Sequence, residues 1–216
     1  MHDTLPGFEA SKLFEPYRTF VLDLSVDDAT RRAALSGHWR KHLRSAEHAG
    51  LQVEHPPAGE TWRRMRPLLV EMQGRKDFDS PLPPEFWDDV FALDEAAEHF
   101  RGVVIGDGSR DVAAALVGGD GTLATQQLAS TSPDGLRVNA GYLSTWSAIQ
   151  QEAGLGRHFF DLGGVDPDAN PGGWQFKHGL SGRDVTAPLP MVAEPTRARS
   201  FAISIAEHLA ARASHR

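Results

Sequence analysis

The residues with the clearest chemical potential lie in one stretch of the chain. Residues 159–182 read FFDLGGVDPDANPGGWQFKHGLSG and contain six glycines, three aspartates and a single lysine, Lys177. A strand end followed by glycine turns can expose backbone N–H groups to a developing negative charge, and a lysine adds one positive charge. The stretch therefore predicts a site that stabilises an anion with few titratable side chains.

Each of these residues also has an ordinary structural interpretation. Gly163 and Gly164 suit a turn with positive φ, and Phe176 suits hydrophobic packing. Asp161 could take a proton from an acceptor amine or hold that amine, but it could equally cap the glycine turn through its backbone. Lys177 would by default be a surface lysine. The residue types alone leave these alternatives open.

The histidines do not form a recognisable metal site. His38 and His42 are four residues apart on a predicted helix, but no third ligand is evident and the adjacent arginines would repel a cation. The pattern H-E-x-x-H is absent, and a chain without cysteine has neither a thiolate ligand nor a cysteine nucleophile. We expect no metal and no resident cofactor.

Positive charge is concentrated in one segment. The net charge of the chain is −7, yet residues 31–76 contain ten Lys or Arg and only four Glu. A predicted helix in this segment buries Trp39, Leu43 and Ala46, and places Arg40 and Arg44 on a neighbouring stripe. Clustered cations predict a phosphate-binding face, although a solvated helix surface is the alternative. The candidate cations are Arg40, Lys41, Arg44, Arg63, Arg64 and Arg66.

Hydrophobic periodicity predicts the elements that must position these residues. Strands are expected at 19–25, 51–55 and 157–164, and three further strands at 100–107, 111–119 and 123–131 form an antiparallel meander across the turns Asp107-Gly108 and Gly119-Asp120-Gly121. Helices are expected at 26–50, 60–72, 84–98, 139–152 and 195–213. Tyr142 and Trp146 on the fourth of these helices are either pocket-lining residues or helix core.

Length and composition are those of a globular protein. The chain has 216 residues, of which 40% are hydrophobic and 24% charged, so we expect residues 19–216 to form one domain after an extension at 1–18. No apolar run approaches the roughly 20 residues that span a bilayer. The absence of cysteine and of a basic, hydrophobic leader predicts a cytoplasmic location.

Three segments carry a resemblance to a known family. The run FDLGGVDPDANPGGWQFKHGLSG resembles the signature of the Fem family (FemABX-like peptidyltransferases), in which a strand ending D-x-G-G precedes a loop and F-K-x-G. LSGHWRKHLRSAEHAGLQV (35–53) resembles the family's tryptophan- and arginine-rich helix, and NAGYLSTWSAI (139–149) is similar to its helix between the central strands. The resemblance implies a GNAT-like acyltransferase fold, a mostly antiparallel α+β sheet flanked by helices in a single lobe.

The same resemblance implies transfer of an aminoacyl group from aminoacyl-tRNA, as co-substrate, onto an amine. An aminoacyl ester is already activated, so catalysis chiefly requires alignment and stabilisation of the tetrahedral oxyanion. Lys177 would contact that oxyanion or the terminal phosphate of the tRNA, and Asp161 the acceptor amine. Gly163, Gly164, Phe176, Tyr142 and Trp146 would border the substrate, while the cations of segment 31–76 would bind tRNA phosphates.

The resemblance is to one half of a two-lobed family. This predicts a small-molecule or peptide acceptor, with natural-product synthesis as one setting, or a homodimer or partner chain that supplies the other wall. Two alternatives remain. One is an acyl-CoA-dependent GNAT N-acyltransferase, although DGLRVNAGYL lacks the glycine spacing of a pyrophosphate loop. The other is a noncatalytic partner of another transferase.

Overall fold

The structure, a computed structural model, describes residues 8–10, 16–76, 82–93, 96–189 and 191–193. The chain forms two compact units, Met1–Arg18 with Thr186–Arg216, and Thr19–Val185. In the smaller unit the strands β1 (Phe8–Ala10) and β9 (Met191–Ala193) pair in antiparallel fashion. The helix expected at 195–213 lies outside the described residues.

The larger unit contains the elements that matter for function. Its described strands are β2 (Arg18–Asp23), β3 (Gln52–Glu54), β4 (Phe100–Gly106), β5 (Asp111–Asp120), β6 (Leu123–Thr131), β7 (Phe159–Asp161) and β8 (Arg183–Thr186). Its described helices are α1 (Asp28–Ala34), α2 (Gly37–Glu47), α3 (Ala58–Lys76), α4 (Pro84–Phe91), α5 (Ala96–His99), α6 (Pro133–Arg137), α7 (Ala140–Gly154) and α8 (Pro171–His178).

The strands build one mixed sheet in the order β3-β4-β5-β6-β7-β2-β8. The pairs β3–β4, β4–β5, β5–β6 and β2–β7 are antiparallel, and β6–β7 is parallel. The predicted meander and the α+β class with a mostly antiparallel sheet are therefore confirmed. The parallel pair matters most for function, because its two strands are joined by α7 and end at the same edge of the sheet.

Helices cover both faces of this sheet. Alternate residues of β4 and β5 point to opposite sides, which divides the core into two clusters. Val103, Ala115 and Val117 pack towards α2 and α7, whereas Val104, Ala114 and Leu116 pack towards α3 and α4. The sheet therefore separates α2 from α3, the two helices that carry most of the cations. No helix among the described residues is both long enough and apolar enough to cross a membrane.

Two predicted helices are each broken into two. The helix expected at 26–50 is interrupted because Leu35 is extended and Ser36 caps a new helix, accepting a hydrogen bond from the Trp39 N–H. The helix expected at 84–98 ends at Phe91, and α5 begins only at Ala96. Sequence periodicity continued across both breaks, so only the local capping geometry reveals them.

A buried ion pair ties α7 to the sheet. Glu152 on α7 is fully buried, and the Nε of Arg101 on β4 lies 2.6 Å from one of its carboxylate oxygens. The Nε of Arg157 lies 3.6 Å from the other oxygen. Removing one partner of a buried pair leaves an uncompensated charge, which costs more than the pair itself contributes. This contact fixes the far end of the helix that carries Tyr142.

We predict that Arg101→Met lowers the free energy of unfolding by about 3 kcal/mol, because Glu152 keeps only the longer contact to Arg157. Urea unfolding monitored by circular dichroism measures this change. Arg110→Met is the matched control: Arg110 is exposed and pairs with Asp134 at the surface, so its loss should cost under about 1 kcal/mol. Equal effects of the two substitutions would contradict the structural role of the buried pair.

Candidate active site

The parallel ladder between β6 and β7 is short. Leu123, Ala124 and Thr125 pair with Phe159, Phe160 and Asp161, and β6 then continues to Thr131 without β7 beside it. Beyond Asp161 the chain stays with β2, since the Leu162 N–H donates to the Phe20 carbonyl. The two parallel strands therefore part after Thr125 and Asp161.

A β-bulge on β6 falls at the same point. Leu116 of β5 pairs with Leu128, but the next residue, Val117, pairs with Gln126, so Gln127 has no partner on β5. A bulge bends its strand and increases the local twist. The bulge and the end of the parallel ladder therefore fall at the same point of β6.

Asp161 holds the turn at the end of β7. Its Oδ1 accepts hydrogen bonds from the Thr19 hydroxyl, at 2.5 Å, and from the Gly163 N–H, at 2.8 Å. This is the turn-capping geometry that the sequence left as an alternative to contact with an amine. Thr19, on the neighbouring strand β2, is a partner that sequence reasoning missed because it lies 142 residues away in the chain.

Gly163 is required by both its backbone and its surroundings. Its φ is +77°, a conformation that glycine adopts without steric cost. A Cβ atom at this position would lie 2.8 Å from the Gln126 carbonyl oxygen and 3.5 Å from the Lys177 Nζ. Glycine at this position thus lets the turn lie against β6 more closely than any residue with a side chain could, close to the Lys177 Nζ.

Lys177 lies on a helix that was not predicted from the sequence. Asn170 caps α8 by accepting a hydrogen bond from the Gly173 N–H, and Pro171 occupies the first helical position. The resulting helix brings the Lys177 Nζ within 2.9 Å of the Gly164 carbonyl, to which it donates. The Asn-Pro pair therefore starts the helix that positions the lysine.

The charge of Lys177 is poorly solvated. Burial lowers the pKa of Lys177 from its usual 10.5 to about 8, and the nearby negative charge of Asp161 opposes that change. Because its one hydrogen bond in the described structure goes to a carbonyl, the ammonium group has no direct carboxylate partner there. A cation in this state interacts strongly with any negative charge that develops beside it.

Aromatic residues connect α8 to α2 and α7. The Tyr142 ring lies 4.9 Å from the Phe176 ring and 4.9 Å from the His42 ring, between centroids. The Trp39 indole N–H donates to the Phe176 carbonyl at 2.9 Å. Tyr142 and Phe176 are half-buried and form one aromatic wall, whereas Trp146 is buried in the core cluster. Of the two candidates on α7, Trp146 therefore belongs to the core and Tyr142 keeps exposed surface.

His42 is held in place beside this wall. Its Nδ1 lies 2.8 Å from the Asn139 Oδ1, and its Nε2 lies 3.0 Å from the His38 Nε2. The backbone of Asn139 is in the left-handed region, with φ at 59°. Both ring nitrogens of His42 are therefore engaged in hydrogen bonds. Among the described residues, no group of three or more histidines and carboxylates is placed to hold a metal ion.

The cations on α2 share one surface. Arg40, Lys41 and Arg44 line a depression of about 810 Å³ together with Gly37, Ser45, His48 and Ala49. The Arg40 guanidinium also donates to the carbonyls of Ala33 and Leu35, at 2.7 and 2.5 Å, so it closes the end of α1 as well. Lys41 and Arg44 are exposed.

The candidate cations on α3 lie elsewhere. Arg63 and Arg64 belong to the helix on the opposite face of the sheet, so they do not extend the α2 surface. Arg64 makes paired hydrogen bonds to Glu54 and to Asp111, and these contacts raise its pKa. Arg66 contacts Asp88 and Glu85. The cations of α2 and α3 therefore do not form one continuous face.

Comparison with known proteins identifies the family. Residues 29–178 match the family described as the acetyltransferase (GNAT) domain. The match covers more than half of the chain, and the chain belongs to this family. It supports an acyltransferase activity in general terms. Among curated proteins, none matches the sequence of this chain.

Solved structures share the fold at low sequence identity. A crystal structure of FemX has a TM-score of 0.71 at 12% identity over 85% of this chain and 64% of that one. The C-terminal domain of a protein described as a lysylphosphatidylglycerol synthetase from Agrobacterium fabrum has a TM-score of 0.60 at 16% identity, over 94% and 66%. L-PGS from Bacillus licheniformis has 0.58 at 13%, over 95% and 68%. The chain thus spans about two thirds of the length of these structures.

We predict that the pKa of Lys177 makes stability depend on pH. The folded chain releases this proton near pH 8, whereas the unfolded chain keeps it to about 10.5. Between these values the unfolded state binds more protons, so stability must rise with pH. The free energy of unfolding of the native protein should therefore gain on the order of 2 kcal/mol relative to Lys177→Met from pH 8 to 10.5. A difference that stays constant over this range would show that the lysine is not desolvated.

Proposed function

We propose that this domain transfers an aminoacyl group from aminoacyl-tRNA to the amine of a small acceptor. The observation that carries the proposal is the half-buried Lys177, held over the glycine turn where β6 and β7 part and lacking a direct carboxylate partner among the described residues. In the reaction the amine nitrogen attacks the ester carbonyl carbon. A C–N bond forms, the C–O bond to the ribose breaks, and an amine proton passes to the ribose oxygen.

The chain's own residues divide this work. The Lys177 ammonium lies where the oxyanion of the tetrahedral intermediate would form, and its poor solvation strengthens that interaction. Tyr142 and Phe176 provide a flat apolar wall for the terminal nucleoside, since bases stack on aromatic faces. Gly163 lets the turn lie against the Gln126 carbonyl, close to the Lys177 Nζ. Asp161 holds the turn and acts as a positioning residue.

The cationic surface of α2 suits an RNA carrier and is joined directly to the site. The Ser36 N–H donates to the Gly179 carbonyl at 2.9 Å, and the Trp39 indole N–H binds the last turn of α8. Lys41 and Arg44 on the outer face of α2 would contact phosphates of the acceptor stem. Because α2 packs next to α8 and not on the opposite layer, an RNA bound to this surface would have its 3′ end close to Lys177.

A second candidate is acyl transfer from acyl-CoA, which the description of the matched family favours. Before α7, the stretch that would hold a pyrophosphate offers Arg137, and this guanidinium forms an ion pair with Asp134. The fold shared with FemX and with lysylphosphatidylglycerol synthetase structures supports the aminoacyl donor instead, since a lysyl group is an aminoacyl group. The remaining alternative is a noncatalytic partner of another transferase.

One assay separates these three functions. The protein is incubated with radiolabelled aminoacyl-tRNAs and a panel of amines, and in parallel with labelled acetyl-CoA. We expect label to move from tRNA to an amine in a ribonuclease-sensitive reaction. Lys177→Met should cut this turnover at least about tenfold, the equivalent of about 1.4 kcal/mol of transition-state stabilisation, and Lys177→Arg should retain more of it because the charge remains. Transfer from acetyl-CoA alone, or from neither donor, would overturn the proposal.

A separate measurement tests the RNA surface. We predict that Lys41→Glu with Arg44→Glu weakens binding of tRNA and lowers the slope of log affinity against log salt by about 2, because two phosphate contacts are lost. The control is Arg63→Glu, which reverses one charge on the opposite layer, half the change in net charge, and should leave the slope unchanged. Filter binding at 50–200 mM salt provides the data. A similar loss with the control would show that net charge, and not this surface, drives binding.

A further inference from the structure

Gln126 is a buried polar residue whose side-chain oxygen, Oε1, has no hydrogen-bond partner among the described residues. The side chain is 8% exposed, and its Oε1 receives no hydrogen bond from any described residue. Buried side-chain carbonyls in folded proteins are normally paired, since an unpaired one has lost its hydration without replacement. The unpaired Oε1 of Gln126 can therefore accept a hydrogen bond from a ligand that binds at this edge of the sheet.

Gln126 lies on β6 where the ladder with β7 ends and the bulge begins. It is the first residue of β6 after the ladder with β7 ends, and it forms one side of the bulge. It pairs with Val117 and lies two residues from Ala124, and both of these point into the core cluster beneath α7. The Gln126 side chain therefore faces the helical layer that contains Tyr142 and Phe176.

The same residue borders the reaction centre proposed above. The Gln126 backbone carbonyl is the atom that a Cβ on Gly163 would strike, at 2.8 Å, and the Lys177 Nζ lies 3.5 Å from that Cβ position. Gln126, the glycine turn and Lys177 are therefore immediate neighbours. A carbonyl carbon attacked beside Lys177 would have its α-substituents next to Gln126.

The chemistry of the donor decides what these α-substituents are. An aminoacyl group carries an ammonium group on the carbon next to the ester carbonyl, whereas an acetyl group carries only hydrogen there. The Asp161 Oδ1 already accepts from Thr19 and Gly163. The Gln126 Oε1 is a neutral acceptor, so it can receive an ammonium N–H without neutralising the Lys177 charge on which the oxyanion depends.

We propose that the Gln126 Oε1 accepts a hydrogen bond from the α-ammonium group of the transferred aminoacyl residue. This inference rests on the proposed function and names the feature of the donor that the site selects. A site built to bind a hydrogen-bond donor rejects an analogue without it, because its own acceptor is then left unpaired. Gln126 therefore distinguishes aminoacyl from simple acyl donors.

The test compares two donors that differ only in this group. One is tRNA charged with the amino acid that the transfer assay identifies, and the other is the same tRNA carrying the des-amino acyl group. We expect the native protein to prefer the first by at least tenfold in kcat/KM. Gln126→Met, which keeps the unbranched shape, should lower kcat/KM at least tenfold for the aminoacyl donor and less than twofold for the des-amino donor.

Gln127→Met is the matched control, because Gln127 is the exposed neighbour in the same bulge. It should leave the kcat/KM of both donors within twofold. An equal loss with both donors in Gln126→Met would mean that Gln126 only maintains the strand, and equal use of both donors by the native protein would mean that the ammonium group is not recognised. Either result overturns the inference while leaving aminoacyl transfer intact.

A binding measurement distinguishes this inference from failure of the transfer reaction. The probe is 3′-deoxy-3′-(aminoacylamino)adenosine, in which an amide replaces the reactive ester, with its des-amino counterpart. The aminoacyl probe should raise the melting temperature of the native protein and of Gln127→Met more than that of Gln126→Met, and the des-amino probe should raise all three by the same smaller amount. This pattern in a protein without transfer activity would support the subsite and overturn only the reaction. Equal shifts of native protein and Gln126→Met would overturn the subsite.

Discussion

The architecture of the candidate site depends on where the parallel ladder between β6 and β7 stops. The Asp161 carboxylate binds the Thr19 hydroxyl and the Gly163 N–H, which turns the chain away from β6 immediately after Thr125 and Asp161 pair. The ladder with β7 therefore does not continue beside Gln126 and the residues of β6 that follow. The bulge at Gln126 and Gln127 bends β6 at the same point. Glycine at position 163 lets the turn lie directly against the Gln126 carbonyl, close to Lys177.

Several arginines of this domain are paired with carboxylates, whereas Lys177 has no carboxylate within salt-bridge distance among the described residues. Arg64, Arg66 and Arg101 each contact carboxylates, which makes them parts of the scaffold. Lys177 instead donates to a backbone carbonyl, and burial lowers its pKa to about 8. A cation that is incompletely solvated and not ion-paired weakens the fold slightly but binds a developing anion well. In the proposed reaction this arrangement would be in place before substrate binds.

Much of the fold could be predicted from the sequence, because turn residues and hydrophobic alternation are local signals. The turns at Asp107-Gly108 and Gly119-Asp120-Gly121 predicted the meander, and the buried stripe of Trp39, Leu43 and Ala46 is present. The helix around Lys177 was missed, although Asn170-Pro171 is a cap followed by a first-turn proline and could have indicated it.

The rest of the site depends on contacts that the sequence does not encode locally. Arg64 was a plausible phosphate ligand until the fold placed Asp111 beside it, 47 residues along the chain. The separation of Arg63 from Arg44 follows from which face of the sheet each helix covers, and periodicity within one helix cannot determine that. The burial of Gln126 follows from a one-residue bulge, and such a bulge leaves no clear pattern in a single sequence.

The central claim is that the site beside Lys177 accepts the aminoacyl end of an RNA carrier. The most direct measurement is the rate of reductive methylation of Lys177, followed by mass spectrometry of the peptide that contains it. A stable aminoacylamino-adenosine should slow this modification at least about fivefold by covering the ammonium group, and coenzyme A at the same concentration should leave the rate unchanged. Protection by coenzyme A with none by the adenosine analogue would contradict the account.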